Sequence, residues 1–497
     1  MELQFQKMSI PGLRCLSRQV QNQEQTQEVK LTEGMPDVGR VLCAWGQVML
    51  RGKEWRGDTV SVSCGCTVWV LYAPEDGGPA QSIEAWIPFN IKWEVPETDR
   101  DGVFSADCLL RSVDARVLSG RKLMLRASVG VLAQTYIPEQ MEIAVAESLP
   151  EDVQIKTQTH CLCMAREAGE KPYMIDEELQ LPQSCEPLEK LIRYTLSSQV
   201  LDRKIMTDKV VFRGTATLHI LYRGQDGELH SWDFEIPFSQ YAELSGTYSH
   251  DASARISPAL TSLELDAQDG RLRLKAGLTG QYIILDTQSI QVATDAYSLR
   301  RSVALQKELL MLPAVVGEEN RPVMAEATVN PSAARIVDAV FYPDHPTTRQ
   351  PGDTVTAELT GLFQLLYYDE EGSLQSTSNR WEETVSVTAA ENTDVAVSSI
   401  AEKPDTQTAA DAITVRNPIQ LQGVLTQPQQ ILMVTGLDLG EVTEPDPNRP
   451  SLILRKARKD DLWQIAKQCG STVDAILEAN GLQDAPPPEK MLLIPVK

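Results

Sequence analysis

Histidine and aromatic residues are scarce in this sequence, and the usual catalytic motifs are missing. Only five of the 497 residues are histidines and 6% are aromatic. The chain contains no Gly-Lys-Ser/Thr phosphate loop, no His-Glu-x-x-His pair and no Gly-x-Ser-x-Gly elbow. His219 falls in a strand pattern, where a structural role is favoured over that of a base. The sequence therefore predicts a protein that is not an enzyme, with no catalytic residues and no cofactor.

Basic residues are also few. Lys and Arg total 46 against 69 Asp and Glu, which gives a formal net charge of -23. A polyanion repels such a chain, so nucleic acid is not an expected partner. No run approaches the roughly 20 apolar residues that cross a bilayer, so membrane insertion is not expected. Residues 1–7 lack the basic start and apolar stretch of a secretory signal, which favours a cytoplasmic protein.

The nine cysteines are thinly spread, which does not fit a disulfide framework. Cys64 with Cys66, and Cys161 with Cys163, are the only close pairs. Residues two apart share a face of a strand, so each pair could offer two sulfurs to a metal. Neither pair has beside it the further His or Cys residues that would complete a set of four ligands. Small buried strand residues are the favoured interpretation, and no metal site is predicted.

Three segments of the chain repeat one pattern. Each begins with Asp, reaches a Leu-Tyr pair whose Tyr lies 14 residues later, and has a Gly 5 residues after that Tyr. The segments are 58–77, 208–227 and 353–372. Ile-Pro-Phe follows the first two, at 87–89 and 236–238, whereas the third has Trp381 near that place. Three copies of one domain are the economical explanation.

Each copy has the alternation of β structure. Residues 211–220 place apolar side chains mostly on one parity, as a half-buried strand requires. Asp226-Gly227 supplies a tight turn, and residues 229–236 alternate again as a return strand. The exception is 186–196, where Leu188, Leu191 and Ile192 have helical spacing. The predicted fold is mainly β, with three tandem antiparallel β domains, each a sandwich or open barrel.

These patterns divide the chain into five parts. The first β domain with its N-terminal segment covers 1–147, the second 148–308 and the third, more divergent, 309–440. Residues 441–450 hold three prolines and no periodicity, as expected of a stiffened linker. A separate module of residues 451–497 follows.

The C-terminal module has the order strand, helix, helix, strand. Residues 452–455 form a strand, and Asp460 or Asp461 is suited to cap the helix that follows. Gly470 and Gly481 fit left-handed helix ends. Ser471-Thr472-Val473-Asp474 has the spacing of a capping box before the second helix. Residues 491–494 form the closing strand.

The module resembles the LysM domain through Leu462-Trp463-Gln464-Ile465-Ala466, Gly470-Ser471-Thr472-Val473 and Asn480-Gly481-Leu482. The resemblance implies a shallow groove that binds N-acetylglucosamine glycans such as peptidoglycan. The family's Gly and Thr beside this groove are here Lys459 and Asp461, so the groove is open to use by a protein instead. The implied groove residues are Lys459, Asp460, Asp461, Leu462, Asn480, Gly481, Leu482, Gln483, Ile494 and Pro495.

The repeats, followed by this module, resemble the SPOCS domains of SipL-type spore-envelope proteins. The resemblance covers about residues 25–440 and implies an assembly protein of the endospore coat. It places the protein in the mother-cell cytoplasm at the surface of the developing spore. The implied partner is the coat ATPase called stage IV sporulation protein A, bound through the module and the repeats. A peptidoglycan-binding protein of the wall or cortex remains the alternative, and a wall hydrolase is a third, weaker one.

Overall fold

The structure, a computed structural model, describes most of the chain, in the ranges 2–96, 101–146, 149–268, 270–329, 333–350, 354–390, 392–409, 412–444, 449–456, 462–483 and 491–497. Strands account for 78% of it and helices for 3%. The predicted fold class, mainly β with a small helical module at the C-terminus, is therefore confirmed. No helix among the described residues is long and apolar enough to cross a membrane.

Two three-stranded antiparallel sheets form the first repeat. After the short β1 (Glu2–Gln4), its strands are β2 (Gln6–Lys30), β3 (Val38–Arg56), β4 (Thr59–Pro74), β5 (Gln81–Glu94), β6 (Val103–Ser119) and β7 (Lys122–Val145). The sheet orders are β2-β7-β6 and β3-β4-β5. The two sheets pack face to face around an apolar core that includes Val62, Val68, Leu125 and Val129. The first repeat is thus a small β-sandwich.

The second repeat has the same strand order. Its strands are β8 (Val153–Gln180), β9 (Leu188–Ile205), β10 (Lys209–Gly224), β11 (Leu229–Glu243), β12 (Ser253–Gln268) and β13 (Arg271–Ser298). Strands β8, β13 and β12 are neighbours in a sheet that continues into the third repeat, and β9, β10 and β11 form a separate sheet. Its own core lies between them, with Phe212, Leu218 and Leu274 buried.

The third repeat keeps this plan but breaks two of its strands. Its elements are β14 (Val303–Val329), β15 (Ala333–Pro343), β16 (Thr347–Arg349), β17 (Thr354–Asp369), β18 (Leu374–Thr388), β19 (Asp394–Ala401), β20 (Asp405–Ala409) and β21 (Ala412–Leu439). β15 and β16 both pair with β17, and β19 and β20 both pair with β21. Each pair takes the place of one continuous strand in the other repeats. This division matches the weaker sequence pattern of the third copy.

The repeated turn after the Leu-Tyr pair adopts the same backbone in all three copies. Gly77, Gly227 and Gly372 have φ angles of 76°, 83° and 76°. This left-handed region is readily open only to glycine, which explains why glycine stands at this position each time. The turn predicted from Asp-Gly is confirmed in the second copy, where β10 and β11 pair in continuous register.

The helical spacing predicted within 186–196 is wrong, because this segment belongs to strand β9. Arg193 pairs with Leu221 and Leu191 pairs with Tyr222, so Ile192 is an extra residue in the ladder. Such a bulge interrupts the two-residue period of a strand. The apolar positions before and after it then acquire three- and four-residue spacings that imitate a helix.

The first and last strands of each repeat continue beyond the sandwich as a two-stranded ribbon. The pairs are β2 with β7, β8 with β13, and β14 with β21. The three ribbons share one apolar core, which includes Ile143 from the first, Leu162 and Val292 from the second, and Leu312 and Leu437 from the third. We call this bundle of ribbons the stem.

At another place the three sandwiches meet around a second shared core, which we call the hub cluster. Each repeat contributes two residues, and these stand at equivalent positions in the three repeats. The first set is Leu42, Ile192 and Val337, and the second is Leu71, Leu221 and Leu366. All six side chains are buried. The stem and the hub cluster join the three repeats into one packed scaffold.

Candidate partner-binding site

The C-terminal module has the predicted element order. It consists of β22 (Leu452–Lys456), α1 (Leu462–Cys469), α2 (Val473–Asn480) and β23 (Met491–Pro495). The two strands pair antiparallel. Ile465, Ile476, Leu492 and Ile494 are fully buried between the helices and the strands. A module this small obtains its core by packing one face of each helix against one face of the sheet.

The ends of the helices follow the predicted glycines, with one correction. Gly470 and Gly481 have φ angles of 62° and 58°, and the N–H of Leu482 donates to the carbonyl of Leu477 at 3.0 Å. The cap of α2 is Thr472, whose hydroxyl accepts the N–H of Ala475 at 3.2 Å, and not Ser471. The capping box expected from Ser471 is therefore wrong by one residue.

The described groove residues divide between core and surface. Leu462 and Ile494 are 8% and 0% exposed and belong to the module's core. Leu482 and Pro495 are half-buried, whereas Gly481 and Gln483 are exposed. The other three predicted groove residues, Lys459, Asp460 and Asp461, lie outside the described residues.

Asn480 is held by the module's own backbone. Its amide nitrogen donates to the carbonyls of Ile476, at 2.7 Å, and Leu493, at 2.6 Å. Its carbonyl oxygen accepts the N–H of Leu493 at 2.9 Å. This side chain ties the end of α2 to β23, so a ligand would compete for hydrogen bonds that stabilise the fold.

The module packs against the end of β13 in the second repeat. The indole nitrogen of Trp463 donates to Asp295 at 2.8 Å, and the ammonium of Lys467 donates to both Asp295 oxygens at 2.8 and 2.9 Å. The Tyr297 hydroxyl donates to the carbonyl of Ser471 at 2.7 Å, and its ring meets the Trp463 ring edge-on at 4.8 Å. These contacts fix the orientation of the module on the scaffold.

Electrostatics favours this contact. Burial raises the pKa of Asp295, but the hydrogen bonds from Lys467 and Trp463 outweigh it and the pKa is lowered. Asp295 is therefore ionised at neutral pH and remains a charged acceptor. Burial raises the pKa of Tyr297 to about 12, so its hydroxyl keeps the proton that it donates.

The outer face of the module's two-stranded sheet is apolar and exposed. Leu454 pairs with Leu493, and its neighbours on the same face are Leu452 and Met491. Leu452, Leu454 and Met491 are 50%, 63% and 53% exposed. Pro495, opposite Leu452, completes what we call the apolar strip. Contiguous exposed apolar side chains of this kind mark interaction surfaces.

The charge of the module differs from that of the whole chain. Residues 451–497 carry seven Lys or Arg and six Asp or Glu, against 46 and 69 in the full sequence. An acidic partner surface that the scaffold would repel is therefore tolerated at the module.

A second cluster of charged groups lies beside the hub cluster. The Arg193 guanidinium is 3.0 Å from Asp338, and both side chains are 2% exposed. His219 contacts Asp338 through Nε2 at 3.0 Å and Asp233 through Nδ1. Lys403 also contacts Asp233. Both ring nitrogens of His219 face carboxylates, so its geometry is that of a structural ion-pair network.

Burial and neighbouring charges oppose each other in this network. Burial lowers the pKa of His219, but the carboxylates of Asp338 and Asp233 outweigh it and the pKa is raised. Burial raises the pKa of Asp338, but the charges of Arg193 and His219 outweigh this effect, so the pKa is held well below its usual range. His219 is thus stabilised as a cation between two anions.

The described residues include one group that could hold a metal ion, made of Asp226, Glu228 and His230. Each member has another role: Asp226 accepts the N–H of Glu228 in the turn and contacts His230 at 2.9 Å, and Glu228 pairs with Arg335. The turn and the contact between repeats account for these three side chains.

The two close cysteine pairs differ in burial. Cys64 and Cys66 are buried in the first sandwich, as expected. Cys161 is exposed and Cys163 is half-buried on the stem, so the interpretation as buried residues does not apply to Cys161.

The fold and the module define a protein with β repeats and a C-terminal LysM domain, and family comparison agrees. The LysM domain family matches residues 457–495. The SPOCS domain of the SipL family matches residues 187–267, within the second repeat. The chain thus combines a SipL SPOCS domain with a LysM domain, which fits a sporulation protein with a peptidoglycan-binding type of module. No curated protein and no solved structure matches the chain.

Two features of the site were not predicted from the sequence. Asp295 and Tyr297 lie far from the module in the sequence, and no local pattern indicates their contact with it. The apolar strip had a signal: residues 452–454 and 491–494 are uninterrupted apolar runs. A two-stranded sheet with one buried face needs apolar side chains only at alternate positions, so such runs indicate a second apolar face.

Proposed function

We propose that this protein is a non-enzymatic assembly factor of the endospore coat. Its LysM domain docks a protein of the coat basement layer, and its three β domains, over 1–147, 148–308 and 309–440, form the scaffold. The partner is an ATPase of the stage IV sporulation protein A type. The protein works in the mother-cell cytoplasm, at the surface of the developing spore. The match to SPOCS and LysM domains supports the sporulation setting.

The apolar strip is the observation that carries the choice of a protein partner. Apolar surface is exposed to solvent at Leu452, Leu454 and Met491. The side-chain amide of Asn480, by contrast, is hydrogen-bonded to the module's own backbone. A protein interface buries apolar side chains at its centre. The module is also fixed to the second repeat through Trp463 and Lys467, so it presents the strip in a defined direction.

The test is capture of the ATPase by the full chain carrying Leu454→Asp. This side chain is 63% exposed, so a carboxylate there leaves the fold intact while placing a charge in the interface. We expect capture to weaken at least about tenfold. The matched control is Leu201→Asp in the second repeat, a leucine that is 67% exposed and distant from the strip in the sequence.

Two results decide between the outcomes. If Leu454→Asp captures the ATPase as well as the unmodified chain and the Leu201→Asp variant do, the apolar strip is not the docking surface. If a chain lacking residues 451–497 still captures the ATPase and reaches the spore surface, the LysM domain is not required and the proposal is wrong.

The second candidate is binding of peptidoglycan, which the LysM match favours. Sedimentation of the full chain with purified peptidoglycan tests it. If Leu454→Asp leaves this binding unchanged and Gln483→Ala reduces it, the groove binds glycan and this candidate is favoured.

A further inference from the structure

A cavity of about 700 Å³ lies between the first and second repeats, away from the LysM domain. One wall is the outer face of the β3-β4-β5 sheet, and the opposite wall is strand β12. The lining combines two aromatic rings and other apolar side chains with amides, hydroxyls and one charge of each sign. Those that the argument uses are Trp86, Gln23, Gln25, Asn90, Arg51 and Glu264.

Trp86 forms a flat platform in this cavity. Its ring lies directly over Gly65 of the neighbouring strand, where an added Cβ would come within 2.0 Å of the ring. The residue remains 38% exposed. Arg51 is 5.7 Å from the ring centroid, and its guanidinium donates to the carbonyl of Thr261 in β12 at 3.0 Å. The absence of a side chain at Gly65 is thus what allows the indole to lie flat.

The other two repeats do not have this platform. By strand register, Glu235 and Arg380 occupy the position of Trp86, and Thr215 and Thr360 that of Gly65. The sandwich therefore folds without a tryptophan–glycine pair at this place. The pair is a feature of the first repeat alone, and the common fold does not explain it.

Polar groups around the platform lack partners. The side-chain oxygen of Gln23 is buried and accepts no hydrogen bond. An unsatisfied buried acceptor is costly, and a ligand that donates to it would remove that cost. Gln25, Asn90 and Glu264 line the same cavity, and their side chains form no hydrogen bond with the rest of the described chain.

We propose that this cavity binds a saccharide, with one sugar ring on the indole of Trp86. A sugar ring has a face of C–H groups that packs on an aromatic surface and a rim of hydroxyls that donate and accept hydrogen bonds. The amides of Gln23, Gln25 and Asn90 and the carboxylate of Glu264 supply both kinds of partner. A nucleic-acid base would also stack on the ring, but its phosphates are repelled by a chain of net charge -23.

The test is calorimetric titration of the full chain with three tetrasaccharides, built from N-acetylglucosamine, glucose and rhamnose. We expect at least one to bind, and Trp86→Ala to weaken that binding about tenfold through loss of stacking. The matched control is Tyr241→Ala, an aromatic residue of the second repeat that is 49% exposed and does not line the cavity. Its binding should change less than twofold.

Two further variants guard against misfolding. Gly65→Ala tilts the indole without removing it, and Gln23→Leu removes the unsatisfied acceptor, so each should weaken binding while the thermal melting curve is unchanged. Three results would overturn the proposal. The first is that none of the sugars binds the unmodified chain. The second is that Trp86→Ala binds as tightly as the unmodified chain, and the third is that Tyr241→Ala loses as much affinity as Trp86→Ala. The second result would assign the saccharide to another site, the LysM domain included.

Discussion

Replacing Asp338 by leucine should strongly destabilise the contact between the second and third repeats. Arg193 lies 3.0 Å from Asp338, and both side chains are 2% exposed, so solvent cannot take the place of the lost carboxylate. The guanidinium also lies over the ring of Trp45, a buried member of the hub cluster, at 4.9 Å. Removing one member of a buried ion pair costs about 3–5 kcal/mol, because the other charge remains buried without compensation.

The measurement is urea denaturation of the full chain, followed by tryptophan fluorescence, for Asp338→Leu, Arg193→Met and the double variant. We expect Asp338→Leu to lose about 3–5 kcal/mol and Arg193→Met to lose less, because His219 still contacts Asp338 in that variant. The double variant should lose less than Asp338→Leu, because the charge of Arg193 is then gone as well. The control is Asp114→Ala, which breaks the exposed pair with Arg116, where the side chains are 55% and 74% exposed. Its effect should stay within about 0.5 kcal/mol.

Two observations would refute this reasoning. The first is that Asp338→Leu proves as mild as the Asp114→Ala control, which would show that Arg193 is not confined in a dry site. The second is that the effects of the two single variants add in the double variant, because additivity means that the two side chains do not depend on each other.

Three further predictions follow. Asp295→Ala removes the acceptor of Trp463 and Lys467, at a cost of about 2 kcal/mol for charged hydrogen bonds, so amide exchange in α1 should quicken while exchange in β10 does not. The pKa of His219 is raised in the folded protein, so its contribution to the free energy of unfolding is complete below about pH 6.5 and is lost as pH rises through the folded pKa. Denaturation measured between pH 6 and 10 should show this fall in stability, and His219→Gln should flatten the pH dependence. Gly227→Val forces a branched side chain to a φ of 83° and should lower stability by about 1–2 kcal/mol, whereas Gly52→Ala, with open space at its Cβ, should change it by much less; equal effects would contradict the role of the turn.

Much of the local structure follows from the sequence because it depends on near neighbours. Alternating burial makes β10 a strand, and the glycine of each repeated turn fixes a left-handed backbone. The spacing of Gly470 and Gly481 likewise places the ends of the two helices. These features are set within a few residues, so a pattern in the chain is sufficient to predict them.

Features that depend on the assembly of the repeats could not be predicted in this way. The bulge at Ile192 is set by pairing with β10, and it produced a false helical pattern. The contact between Asp295 and Trp463 joins residues 168 positions apart. Nothing in the local sequence of β4 and β5 shows that Trp86 lies over Gly65, because their register must be known first.

Joining the three repeats in one chain has a consequence that separate subunits could not reproduce. Cys43, Arg193 and Asp338 occupy equivalent places, each paired with the corresponding leucine of the next strand. An association of three identical subunits would put the same side chain at all three places, so the ion pair between Arg193 and Asp338 could not form there. Covalent linkage lets one place carry a cation, another an anion and the third a thiol. It also makes the arrangement independent of protein concentration and gives each sandwich a fixed identity, so a platform such as Trp86 can exist on one of them alone.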